Sequence, residues 1–213
     1  MTGALLRLLL RLDNLLYRYI SLAAVRYGGG LHPKHRLTAY HDFFARHIAA
    51  DERVLDIGCG NGVVDFDVAM RTGAFVTGVD RDAAAIAHAE AHYRHARLRF
   101  RVGDAWDVVA GETFDVVVLS NVLEHLDDRV EFLRRVREQI GPRRLLVRVP
   151  LFERDWRVPL KAELGVDHRL DPTHRTEYRE SEFRDELARA GFAVVEAEIR
   201  WGEIWAVGRA MSV

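Results

Sequence analysis

From Arg53 onward, short apolar runs alternate with stretches in which apolar residues recur every three or four positions. Arg53–Ile57, Ala74–Asp80, Leu98–Val102, Phe114–Ser120 and Arg144–Val149 read as strands. Helical patterns fill the gaps: one runs to about Arg71, the next covers Asp82–Ala96, and a third covers Asp127–Ile140 before Gly141-Pro142 ends it. A further helix, Glu180–Ala190, is closed by Gly191. Phe192–Arg200 and Ile204–Ala210 flank a Trp201-Gly202-Glu203 turn, which predicts a hairpin and an antiparallel last strand. The result is an α/β fold: a doubly wound, mostly parallel seven-stranded sheet with helices on both faces. Leu151–Arg179 is the one long irregular stretch and is expected to form a lid over the ligand edge.

The pattern divides the chain into a helical extension at 1–45 and a binding domain at 46–213 that carries the 151–179 insertion. Within the extension, Arg7, Arg11, Asn14, Arg18 and Ser21 follow steps of four and three, forming one narrow polar stripe on a helix that is otherwise apolar. Such a helix packs on its own domain or on a second subunit, or lies as a basic amphipathic helix at a membrane surface. Interrupting charges exclude a bilayer-spanning segment, which needs ~20 apolar residues, and the stretch lacks the clean apolar core of a signal peptide.

Hydrophobic residues make up 49% of the 213, enough for a sizeable core. Lys+Arg is 31 against Asp+Glu 32, so no basic excess points to nucleic acid. Cys59 is the single cysteine; it forms no internal disulfide and fits a cytoplasmic protein.

The chemistry concentrates in Val54-Leu55-Asp56-Ile57-Gly58-Cys59-Gly60-Asn61-Gly62, where a strand runs into a glycine-rich turn and then a helix. Val63 stands where the dinucleotide fingerprint needs Gly or Ala, and no Gly-Lys-Ser/Thr follows as in a P-loop. Asp56 would repel a pyrophosphate and favour a cationic ligand group.

On this motif the chain resembles the class I S-adenosylmethionine-dependent methyltransferases, from about Arg53 to the C-terminus. The resemblance implies a Rossmann-like sheet, S-adenosylmethionine as cofactor and methyl transfer as the reaction. Carried over residue by residue, Asp56, Gly58 and Gly60 line the cofactor. Asp80 accepts the ribose hydroxyls, with Arg81 beside it. Asp104 and Ala105 border the adenine, and Asn121 lines the methionine side. His32-Pro33-Lys34-His35-Arg36-Leu37 is similar to the arginine-bearing segment of the ubiquinone-biosynthesis O-methyltransferases, which would bring Arg36 to the methionine carboxylate. That group carries a Glu-x-x-Glu-His metal site. Glu124 and His125 match it, but Asn121 replaces the first Glu, so no metal is expected. Arg148-Val149-Pro150 and Asp171-Pro172-Thr173-His174 also resemble bacterial methyltransferases of glycan pathways.

A hydroxyl acceptor gains from a base that removes its proton. His125, His168 and His174 are the catalytic candidates; the last two could instead only stitch the lid together. His88, His92 and His95 repeat at helical spacing without an acidic or cysteine partner and read as an exposed face. The expectation is a methyltransferase acting on a small, lipid-linked or glycan-type acceptor at oxygen. RNA or protein methylation, or a non-catalytic cofactor-binding module, is the alternative. A homodimer and peripheral membrane contact through the N-terminal helix remain open.

Overall fold

The computed structural model describes residues 2–211. A long helix, α1 (Thr2–Tyr27), and two short ones, α2 (Lys34–Thr38) and α3 (Tyr40–Arg46), precede the sheet. Alternation then begins: β1 (Arg53–Ile57), α4 (Val63–Thr72), β2 (Phe75–Asp80), α5 (Ala83–His92), β3 (Leu98–Val102), α6 (Ala105–Val108), β4 (Val116–Ser120), α7 (Arg129–Arg135) and β5 (Arg144–Pro150). α8 (Arg157–Glu163), α9 (Glu180–Arg189), β6 (Phe192–Arg200) and β7 (Glu203–Ala210) complete the chain.

The seven strands lie in the order β3-β2-β1-β4-β5-β7-β6. β1 to β5 pair in parallel, whereas β7 runs antiparallel to both β5 and β6. The hairpin thus inserts its second strand beside β5. Order reverses between β1 and β4, the position where open α/β sheets bind ligands at their carboxyl ends.

Two apolar layers cover the sheet. Phe43 and Phe44 of α3 pack with Val68 of α4, Val76, Val116, Leu146 and Trp205 on one face. Leu133 of α7 and Phe183 and Leu187 of α9 pack with Leu55, Val117, Leu119 and Val147 on the other. Strand side chains alternate between the faces, so the central strands must be apolar throughout.

Three expectations change. The apolar surface of α1 does not pack on its own domain: most of its leucines are exposed, while Leu10 is buried. The 151–179 stretch is not irregular throughout, because α8 forms inside it and Leu151 bridges to Tyr178 in parallel. The 127–140 helix starts two residues late and passes into a π-helical turn over Val136–Ile140.

Candidate active site

The glycine turn is built by backbone that only glycine adopts freely. Gly58 and Gly62 have φ of 79° and 75°. A Cβ on Gly58 would lie 2.7 Å from Val122, and one on Gly62 2.4 Å from Phe100, so both positions are closed to larger residues. A Cβ on Gly60 would meet nothing within 4 Å: here the turn faces open space at the strand ends.

Asp80 ends β2 and accepts the Gly60 N–H through Oδ2 at 2.8 Å and the Asp82 N–H through Oδ1 at 2.9 Å. A carboxylate offers about four lone-pair positions, so acceptor capacity remains for a ligand's hydroxyls. Asp104 caps α6 by accepting the Trp106 N–H, and its other oxygen takes the Arg81 guanidinium. Burial alone would raise the Asp104 pKa; the Trp106 N–H and Arg81 outweigh it and hold the carboxyl below its usual range. Asn121 follows β4 with φ 59°, and its buried Oδ1 has no partner. Ala105 is buried beside them. A glycine turn facing open space, an acid with spare acceptor positions and an orphaned amide oxygen therefore converge on one edge. They fit a polar ligand carrying hydroxyls and an ammonium.

Asp56 behaves differently. It is 3% exposed and lies against Asp65, itself 1% exposed. Burial, and then the charge of Asp65, push the Asp56 pKa well up; burial raises Asp65 as well. Both carboxyls are buried beneath the turn, and neither oxygen of Asp65 has a hydrogen-bond partner.

Beside this cradle stands a second constellation. Glu124 lies in a short 3₁₀ turn, Leu123–His125, just past β4. It is fully buried, neither carboxylate oxygen has a partner, and burial lifts its pKa to about 7. His125 and His174 meet edge to face with ring centroids 4.7 Å apart. Donor atoms of Glu124, His125 and His174 all lie within 4.8 Å of one another. His174 Nδ1 faces Glu177 Oε1 at 3.3 Å, and His125 Nδ1 faces Thr173 Oγ1 at 3.0 Å. Burial first, then His125, lower the His174 pKa to about 4, so its imidazole is neutral at pH 7. The 151–179 segment is tied down here by main chain: Arg175 and Thr176 N–H groups donate to the Glu124 carbonyl at 2.6 and 3.3 Å.

His168 is not brought to this cluster. Its ring packs on Phe152, and its carbonyl accepts from Arg154. Arg36 lies exposed on α2. Its segment instead brings Lys34 within the fields of Arg148, Glu203 and Glu124. Arg148, buried on β5, pairs with Glu203 through Nε at 2.6 Å and sits 3.8 Å over the Tyr40 ring. Tyr40 Oη meets His35 Nδ1 at 2.6 Å. This network joins the extension to the strand edge. No residue pattern marks Tyr40, Arg148 and Glu203 as partners, because their network depends on the antiparallel register of β7 against β5.

A family model described as a methyltransferase domain matches residues 31–197. The chain belongs to the methyltransferase family. A ubiquinone biosynthesis O-methyltransferase of Azorhizobium caulinodans is 34% identical over 179 residues, covering 76% of this chain and 70% of that protein. The match to the protein of that name from Bradyrhizobium diazoefficiens is shorter, 35% identical over 120 residues, and there the chain spans only 47% of the relative's length. Among solved structures, a TehB-like S-adenosylmethionine-dependent methyltransferase from Corynebacterium glutamicum aligns with a TM-score of 0.60 at 19% identity, covering 93% of this chain and 97% of that one. That likeness carries the fold alone. This methyltransferase uses S-adenosylmethionine, and the cradle of Gly60, Asp80, Asp104 and Asn121 has the chemistry to hold it.

Proposed function

We propose that the chain O-methylates a small, lipid-linked or glycan-type hydroxyl acceptor, with His174 as the base. The observation that carries this reading is the pairing of a buried, neutral His174 with Glu177 at the acceptor side of the cradle. The O-methyltransferase names of the relatives support oxygen as the target.

The cofactor supplies an electrophilic methyl on a sulfonium. The protein's part is alignment and proton removal. With Glu177 accepting from Nδ1, the proton of His174 is fixed on that nitrogen, and Nε2 is left as the acceptor. Glu177 is itself held by Arg154 and by the Leu170 N–H, so the imidazole is oriented by a fixed carboxylate. When Nε2 takes the acceptor's proton, Glu177 balances the imidazolium. Glu124 and His125 border the same space and bind or orient the acceptor hydroxyl.

A second reading uses the same cluster. Three donors converge and both Glu124 oxygens lack partners, so these residues also fit a divalent cation. Glu124, His125 and His174 would hold it, and it would acidify a bound hydroxyl. The deciding experiment is uptake of labelled methyl from S-adenosylmethionine by fractionated cell extract, followed by identification of the methylated atom. Transfer to nitrogen, or to RNA or protein, would overturn the reading.

A further inference from the structure

The sequence of α1 leaves open whether its apolar surface is covered by the domain or by something else. Its docking answers part of the question. The helix is fixed to the lid by polar groups: Arg7 Nε donates to the Leu164 carbonyl at 3.1 Å, and Asn14 Nδ2 to the Asp167 carbonyl at 2.7 Å. Asp13 pairs with Arg157 at 2.8 Å and with Lys161 at 2.6 Å. Arg7, Asp13 and Asn14 hold the helix to the domain beside the buried Leu10, while Arg11, Arg18 and most of its leucines stay exposed.

That outer side is continuous. Leu8, Leu12, Leu15, Leu16, Tyr19 and Leu22 are 49–63% exposed. At 3.6 residues per turn they span roughly 120° of the helix. Twenty-six residues make a rod about 39 Å long, so the strip is far larger than scattered surface leucines produce. No helix among the described residues is long and apolar enough to cross a membrane.

Charge decides what covers the strip. Arg11 and Arg18 fall along one border, and Arg26 in the last turn. None of the three has a carboxylate partner among the described residues. Asp13, the helix's one acid, is already neutralised by Arg157 and Lys161. An antiparallel pairing with a second copy would set the arginine border of one helix against that of the other. A sheet of phosphate headgroups complements it directly, while the leucines, with Tyr19 among them, enter the acyl boundary.

We propose that α1 is a membrane-surface helix that rests this methyltransferase on an anionic bilayer. Since α1 is mounted on the lid through α8 and the Leu164–Asp167 turn, the acceptor side is held near that surface. The inference uses only the surface of α1 and holds whichever acceptor is methylated.

The test is cosedimentation of the full chain with sucrose-loaded vesicles, either phosphatidylcholine alone or phosphatidylcholine with phosphatidylglycerol. Binding should favour the anionic vesicles by about tenfold or more and fall as salt rises. Leu12→Glu with Leu16→Glu should reduce pelleting at least about tenfold, and Arg11→Glu with Arg18→Glu should remove the preference for anionic lipid. Both pairs lie on exposed surface, so the melting temperature and S-adenosylmethionine affinity should match those of the parent chain, which separates loss of docking from misfolding. Failure to pellet with either vesicle overturns the proposal, as does unchanged pelleting of the leucine pair. A dimer in sedimentation velocity that the leucine pair dissolves, without vesicle binding, would assign the strip to a second copy instead.

Discussion

The Gly60 N–H donates to Asp80 Oδ2 across 2.8 Å, joining the turn after β1 to the last residue of β2. Asp80 therefore shapes the turn, and as a ribose acceptor it would hold the cofactor as well. Asp80→Ala removes both roles. Loss of a hydrogen bond to a charged group costs ~1.5–3 kcal/mol, or roughly 10- to 150-fold in cofactor affinity. Calorimetry with S-adenosylhomocysteine checks this, and equal affinity in the variant would show that the acid does not face the cofactor.

His174 and His168 should separate kinetically. His174→Ala is expected to lower kcat by about 10²–10⁴-fold with cofactor affinity nearly unchanged, the range of a lost general base. His168→Ala should cost much less, because its ring packs on Phe152 away from the cluster. The reverse order would move the base to the other end of the lid.

Glu124 should leave a signature in stability. Its pKa in the fold is about 7, above its ordinary value of 4.5, so burial keeps the proton on. A raised pKa of this sign favours the fold below pH 4.5, and that contribution is lost as pH rises through 7. Glu124→Gln mimics the protonated form. Without cofactor, the variant's melting temperature should exceed the parent's by more at pH 8 than at pH 5. A gap that does not change with pH would mean that Glu124 is ionised throughout.

Turnover should persist in EDTA, since the His174–Glu177 pair removes a proton unaided and Asn121 contributes no carboxylate to the cluster. Inactivation by EDTA with recovery on adding Mn²⁺ would instead give Glu124, His125 and His174 to a metal.

Much of this architecture is legible in the chain because central strands buried on both faces must be apolar throughout. Leu98–Val102 and Phe192–Arg200 have the predicted limits, and the cofactor-side positions fall at strand ends. Tyr40, Phe43 and Phe44 carried the spacing of a helix, but their reason for it, packing on Trp205, lies at the far end of the chain. The acceptor side was only partly legible. His125 and His174 could be named as candidates, but their meeting depends on main-chain bonds from Arg175 and Thr176, which leave no residue pattern. The glycine motif predicts Asp56 beside a cationic ligand group; the pattern does not reveal that Asp56 is buried with a second acid, Asp65.

Glu124 does two things with different atoms. Its carbonyl latches the lid, while its carboxylate looks into the space beside His125 and His174. Any residue that keeps the backbone here keeps the latch. A change of side chain at 124 would therefore alter the chemistry beside His125 and His174 while leaving the main-chain bonds from Arg175 and Thr176 in place.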